Sequence, residues 1–258
     1  MAKKSLSEVR GCRGGLGLNL APLIHALSTS LASFIEKCDY KDKKVDSCIR
    51  KQIENSLSRF AKGIPELGVP SIDPVQLDEI NIDGNGLKLK FVEAAMYGLS
   101  DSKLTDLKVD IGSNEEDFNL GFKGNMSLIA KYNIDGKILI LPIKGDGDAV
   151  VKANNVEVNI QSKLVHVKDS KGRSHLKLIT PNYKYDIQST TFDLKNLFNG
   201  NKELAETTLS FANENWRQLM DDLAPPAIKQ IVRSVIKAIN KFFSKVPISE
   251  MVTGYKDS

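Results

Sequence analysis

From about residue 78 to residue 195, apolar side chains recur at every second position in short runs punctuated by Gly, Asn and Asp. A chain with that period alternates its side chains across a pleated ribbon, so this stretch predicts β-strands and turns rather than helices. The clearest run sets Phe118, Leu120 and Phe122 on one face and, after a Gly124-Asn125 break, continues with Met126, Leu128, Ala130, Tyr132 and Ile134. Asp83-Gly84-Asn85-Gly86, Asp135-Gly136-Lys137 and Gly145-Asp146-Gly147-Asp148 accept the positive φ of tight hairpins, so each predicts a reversal between antiparallel neighbours. Ile138 to Ile143 is nearly all apolar and predicts a strand buried on both faces; further strands are expected at 149–153, 155–168, 174–180 and 182–194. So long an antiparallel sheet is expected to curve strongly.

Helical periods flank the sheet. Ile49, Ile53, Leu57 and Phe60 share one face while Arg50, Lys51, Glu54 and Arg59 fall elsewhere, which predicts a short amphipathic helix that Gly63 ends. Ile64 to Pro74 is too rich in proline to continue it and reads as an extended connection. Beyond the sheet, Leu209, Phe211, Ala212, Trp216, Leu219, Met220 and Leu223 lead into Ile228, Ile231, Val232, Val235, Ile236, Ile239, Phe242, Phe243 and Val246, again at helical spacing. Pro225-Pro226 is expected to kink or interrupt that helix. On its other face Lys229, Arg233, Lys237, Lys241 and Lys245 recur every fourth position. They read as a solvated flank whose stems lie on the apolar border, with a contact to anionic membrane as the alternative. The expected fold is α+β, built as one domain.

Composition narrows the function. With 41% hydrophobic and 26% charged residues the chain has an ordinary soluble balance, unlike disordered or fibrous proteins. Its 36 basic and 32 acidic residues are interspersed rather than gathered on a basic face, which argues against nucleic acid as a partner. No nucleophile with a base, metal-ligand cluster or phosphate-cradling loop appears at recognisable spacing, so no enzyme, cofactor or metal site is expected. His166 and His175 lack placed carboxylates, and the glycines at 145–147 are followed by no Gly-Lys-Ser/Thr sequence.

Lys3, Lys4, Arg10 and Arg13 precede a leucine-rich stretch and then small residues around Ser30 and Ala32, an order that reads as a secretory signal peptide over residues 1–32. It is atypical, because Asn19, Pro22 and His25 interrupt the apolar run; an attached amphipathic helix is the other reading. Removing the leader discards Cys12 and leaves Cys38 and Cys48 with nine residues between them, a pair suited to a disulfide outside the cell or, failing that, two free thiols. That spacing does not fit zinc. Asn125-Met126-Ser127 matches the N-glycosylation pattern, with Asn125 alternating outward if Met126 points in.

Cys38, Cys48, the run from Phe60-Ala61-Lys62-Gly63 through Ile64-Pro65-Glu66-Leu67-Gly68-Val69-Pro70, and Asp73-Pro74 occur in an order that resembles the takeout/juvenile-hormone-binding family of insects. Asn213, Asn215-Trp216, Leu219, Leu223, Pro226, Asn240, Phe243 and Val246-Pro247 resemble its long-helix pattern, so the likeness covers residues 34–252. It implies a long helix wrapped by a highly curved antiparallel sheet, elongated around a hydrophobic tunnel. Residues 33–258 would then be a secreted, monomeric, non-catalytic carrier of a terpenoid, quinone or fatty-acyl molecule, tied to feeding, circadian or chemosensory physiology. Membrane contact would be at most transient, and a receptor would be its macromolecular partner. Haemolymph hormone carriers of the family typically have a second disulfide; no cysteine follows Cys48 here, which favours the takeout-like branch. On periodicity, the tunnel wall would be Phe118, Phe122, Met126, Leu128, Tyr132, Ile140, Trp216, Leu219, Met220, Val232, Val235 and Ile239, or these side chains simply fill a solid core. The competing function is a ligand-free extracellular signalling or receptor-binding module.

Overall fold

The computed structural model describes residues 33–109 and 116–255. The expected signal peptide therefore lies outside the described residues. In chain order the elements are β1 (Cys38–Asp39), α1 (Val45–Ala61), β2 (Val75–Gln76), β3 (Ile80–Gly84), β4 (Leu87–Tyr97), β5 (Lys103–Val109), β6 (Glu116–Ile138) and β7 (Leu141–Lys168). They continue with β8 (Ser174–Asp186), β9 (Ser189–Leu194), α2 (Lys202–Glu214), α3 (Trp216–Phe243), α4 (Ile248–Met251) and β10 (Val252–Thr253).

The β6–β7 hairpin is the spine of the sheet, pairing continuously from Glu116↔Leu164 to Ile138↔Leu141. Along the outer side of β6 run β5 and then β4, with β2 and β3 paired beyond β4. The outer side of β7 is shared by β9 and β8. All these pairings are antiparallel. Helix α3 touches β8 and β9 at one margin and β3 at the other. A single helix, about 10–12 Å across with its side chains, reaches both margins only because the sheet bends around it. The result is the α+β arrangement expected from the sequence, a curved antiparallel sheet holding a long C-terminal helix.

Two asparagines finish the margins that α2 and α3 cover. The Asn240 side chain accepts from the Leu178 backbone N–H at 2.7 Å and donates to its carbonyl at 2.9 Å. Asn213 does the same for Phe192, at 2.7 and 3.3 Å. A carboxamide presents one acceptor and one donor, as a neighbouring strand would, so each satisfies an edge residue whose backbone groups would otherwise be left over.

Several expectations about the strands are corrected. Asp83–Gly86 does turn a hairpin, with Asn85 and Gly86 at φ 54° and 77°. Asp135-Gly136-Lys137 and Gly145–Asp148 do not turn; they lie within β6 and β7, where Gly136 pairs with Ile143 and Gly147 with Tyr132. Their glycines serve close approach, because a Cβ on Gly136 would sit 2.1 Å from the Gly86 carbonyl oxygen, and one on Gly145 would sit 2.9 Å from Leu197 Cα. The reversal falls instead at Leu139-Ile140, inside the segment expected to be a buried strand, with Leu139 at φ 53°. Gly124-Asn125 is a bulge within β6 rather than a break. The strands expected at 149–153 and 155–168 are one strand, β7.

The helices follow the apolar stripes. Pro225 and Pro226 lie inside α3 without interrupting it. The carbonyls they leave without a helical donor belong to Asp221 and Asp222, which are exposed, so water can satisfy them. The interruption comes at Asn215, whose backbone leaves helical geometry between α2 and α3.

The signature loop after α1 is scaffolding. The Ala61 carbonyl accepts from the backbones of Ile72 and Asp73, at 2.8 and 3.0 Å, and from the Ser71 hydroxyl at 3.1 Å. The Asp73 carboxylate accepts from Gly98 N–H at 3.1 Å and Ser100 N–H at 2.7 Å, fixing the turn between β4 and β5. Gly63, at φ 87°, is required because a Cβ there would lie 2.8 Å from Ser71 N. Cys38 and Cys48 form a disulfide that joins β1 to α1, and β1 in turn pairs with β10.

Candidate functional site

The concave face of the sheet does not pack solidly against α3. A cavity of about 100 Å³ lies between Met126 and Leu128 of β6, Val156 and Val158 of β7, Phe192 of β9, and the Met220 to Val235 stretch of α3. A second, of about 230 Å³, lies toward the disulfide. Its walls are Phe118 and Phe122 from β6, Leu164 and Leu176 from β7 and β8, Ile239 and Phe242 from α3, and Phe34 and Ile35 from the segment before β1. The fourth side is the apolar face of α1, with Ile49, Ile53, Leu57 and Phe60 in successive turns. Leu99, Phe122 and Val235 belong to both walls, so these three side chains stand where the two spaces meet.

Both interiors are apolar. The smaller has no polar side chain in its wall. The five at the larger have partners of their own: Gln52 Oε1 accepts from Glu36 N–H at 3.0 Å and its Nε2 donates to the Glu36 carboxylate at 3.4 Å, Glu54 pairs with Arg50 at 3.8 Å, Ser102 Oγ donates to the Gly98 carbonyl at 3.1 Å, and Ser56 Oγ donates to the Gln52 carbonyl. Space of this kind repels water and gains from apolar surface at about 25 cal/mol per Å² removed from water.

Of the side chains expected at the wall, Met126, Leu128, Met220 and Val232 line the smaller cavity, Phe118 and Ile239 the larger, and Phe122 and Val235 both. The others lie elsewhere. Ile140 is a correction: it occupies the hairpin turn, 81% exposed, because the reversal falls inside its apolar run. Tyr132 is buried, but its hydroxyl donates to the Lys195 carbonyl at 2.7 Å, beyond the end of the smaller cavity. Burial, followed by the charge of Asp146, pushes that phenol up to about 12. Leu219 fills the solid core, and Trp216 is half-buried with the Arg217 guanidinium 4.6 Å above its ring. Sequence reasoning missed the α1 face, which was legible as an apolar stripe but not as a cavity wall. It also missed Leu99, which sits next to the turn that Asp73 holds and shows no period.

The histidines have structural partners. His175 is buried; its Nδ1–H donates to the Phe243 carbonyl at 2.8 Å, and its Nε2 is 3.3 Å from the Asp169 carboxylate. Backbone N–H of Arg173, then its guanidinium, hold the Asp169 carboxyl far below the usual carboxylate range. Tyr255 and His166 Nδ1 are 2.7 Å apart, tying the C-terminal segment to β7. Among the described residues no group of three or more His, Cys, Asp or Glu could hold a metal ion. Asn125 is exposed, and its Oδ1 accepts from Asn155 N–H at 2.9 Å.

A curved antiparallel sheet that holds a helix in its concavity, with apolar space left beneath that helix, defines a class of α+β proteins with a hollow hydrophobic interior. Residues 18–253 match the profile described as haemolymph juvenile hormone binding protein, and the chain belongs to that family. It is 30% identical to the circadian clock-controlled protein daywake of Drosophila yakuba over 257 residues, 95% of this chain and 97% of that one. To the Drosophila melanogaster daywake it is 29% identical over 233 residues, 86% and 88% of the two chains. The crystal structure of Epiphyas postvittana Takeout 1 superposes with a TM-score of 0.78 at 31% identity, covering 85% of this chain and all of that one.

Proposed function

We propose that residues 33–258 are one secreted carrier domain that holds an elongated apolar molecule, of terpenoid, quinone or fatty-acyl type, in a tunnel formed by the two cavities beneath α3. The observation that carries this is the pair of apolar spaces sharing Leu99, Phe122 and Val235, in a chain of this family. Phe118, Phe122, Met126, Leu128, Met220, Val232, Val235 and Ile239 are the ligand contacts, with the α1 face closing the disulfide end. Binding is driven by burial of the ligand's own apolar surface, and shape rather than polar contacts selects among ligands. The protein acts as a monomer and carries out no catalysis. A leader over residues 1–32 and the Cys38–Cys48 disulfide fit an extracellular location. Asn125, exposed beside the β6 bulge, is available for glycosylation. The clock-controlled relatives support a part in circadian physiology, and the takeout-like resemblance adds feeding or chemosensory roles as the alternatives.

Native mass spectrometry of the secreted protein, followed by organic extraction, tests the carrier reading. A stoichiometric apolar molecule is the expected result. A protein that arrives empty and takes up no terpenoid, quinone or fatty acid would instead be a signalling module acting through its surface.

A further inference from the structure

The solvent side of α3 carries a row of cations that no carboxylate of the same helix interrupts. Lys229, Arg233, Lys237 and Lys241, with Lys245 just past the helix end, are all exposed and each four residues from the next. At about 100° per residue each step of four drifts about 40° round the helix, so from 229 to 245 the row winds through roughly 160° over about 24 Å, and its central members, Arg233, Lys237 and Lys241, lie within about 80° of one another. Between Asp222 and Glu250 the chain has no carboxylate. Among the described residues none of the five cations has a carboxylate within ion-pair distance, although Glu66 is on the turn beside Gly68, which packs on the Lys241 stem. On the sheet, cations alternate with carboxylates and several of them pair: Lys90 meets Glu79 and Lys163 meets Asp117 at 2.7 Å, and Lys144 meets Asp135 at 3.4 Å. Like charges four residues apart weaken a helix. An unneutralised row is therefore a cost to α3 that a surface of opposite charge would offset.

The opposite face of the same helix, through Val232, Val235 and Ile239, walls the cavities. We propose that this basic ridge docks the protein on an anionic lipid bilayer, where apolar cargo is stored. The proposal builds on the carrier reading. The central cations, Arg233, Lys237 and Lys241, can face a flat charged surface together, and each basic residue near such a surface strengthens binding about fivefold at physiological salt.

The test is co-sedimentation of the secreted protein with phosphatidylcholine vesicles, with and without phosphatidylserine, at low and high salt. Wild type should sediment with the phosphatidylserine vesicles only, and salt should release it. Arg233→Glu with Lys237→Glu should weaken that binding at least about tenfold. Lys103→Glu with Lys152→Glu, an equal change of charge on exposed sheet positions, should leave most of it. Indifference to phosphatidylserine, wild-type binding by the ridge variant, or an equal loss in the sheet variant would overturn the proposal. Uptake of a fluorescent fatty acid from vesicle-free solution, followed on the same samples, should be unchanged by the ridge variant. Failure of wild type to take up fluorescent fatty-acid, terpenoid and quinone probes alike would remove the carrier reading while leaving the vesicle result to decide the docking face by itself.

Discussion

The two ends of the β6–β7 hairpin are built on opposite principles. At the turn end, backbone meets backbone: Gly136 lies against the Gly86 carbonyl, Gly147 against the Lys195 carbonyl, and Gly145 against both Leu197 Cα and the Tyr132 hydroxyl. Nothing larger than hydrogen would fit between these segments, and neither cavity reaches Tyr132. At the disulfide end the sheet meets α1, α3 and the Phe34–Cys38 segment through large side chains, and a cavity of about 230 Å³ remains. The covering pieces there are short, held by one disulfide, the two-residue β1–β10 pairing and the Lys37 ammonium on the Ser249 carbonyl at 2.9 Å. Small residues close one end of the sheet, while bulky residues on separately anchored elements hold the other open. The solid end should therefore be intolerant of added atoms, and the hollow end sensitive to loss of its tethers.

The largest effect is expected at the solid end. Gly136→Ala places a Cβ 2.1 Å from the Gly86 oxygen at φ 130°, so backbone must move and strain is added together. A loss of about 3 kcal/mol in urea unfolding is expected, with fatty-acid uptake retained by the folded fraction. A neutral substitution would show that this end is not jammed shut. Next, Cys38→Ala with Cys48→Ala should cost about 2–3 kcal/mol by freeing the unfolded chain. Hydrogen exchange should then quicken in α1 and leave the turn end of β6 and β7 unchanged. Equal quickening at both ends would erase the contrast between them.

The same contrast explains what was legible in the sequence. Period two gave the strands and period three to four gave the helices, because burial on one face imposes them wherever an element is regular. Glycine was ambiguous. At Gly86 it serves a turn with positive φ, whereas at Gly145 it serves close packing inside a strand, and the one-letter pattern is the same. Misreading Gly136 and Gly145–Gly147 as reversals displaced the real turn and made Ile140 seem buried. The cavity was beyond periodicity for a different reason: the pattern says that Phe118 and Val235 point inward, but not whether another atom meets them there. Val232 and Ile236 are four residues apart on α3 and both buried, yet only Val232 lines a cavity while Ile236 fills the core. Asn213, Asn240 and Asp73 stood in the resemblance without a role; only the paired backbone groups reveal it.

The smallest effect sharpens the solid end. Tyr132→Phe removes a single hydroxyl and leaves the Lys195 carbonyl without that donor, so a loss of about 1–2 kcal/mol at neutral pH is expected. The pH dependence identifies the cause. In the fold this phenol titrates at about 12, against about 10 when unfolded, because burial and then Asp146 disfavour the phenolate. A pKa raised by folding means that the neutral, donating form supplies the stability. That contribution is fully present below pH 10 and is lost as pH rises through 12. Wild type should thus lose its advantage over Tyr132→Phe across that window. The difference between the two proteins cancels the lysines that titrate in the same range. If the gap stays constant to pH 12, the hydroxyl ionises as it would in water, and the turn end is open to solvent rather than closed by its glycines.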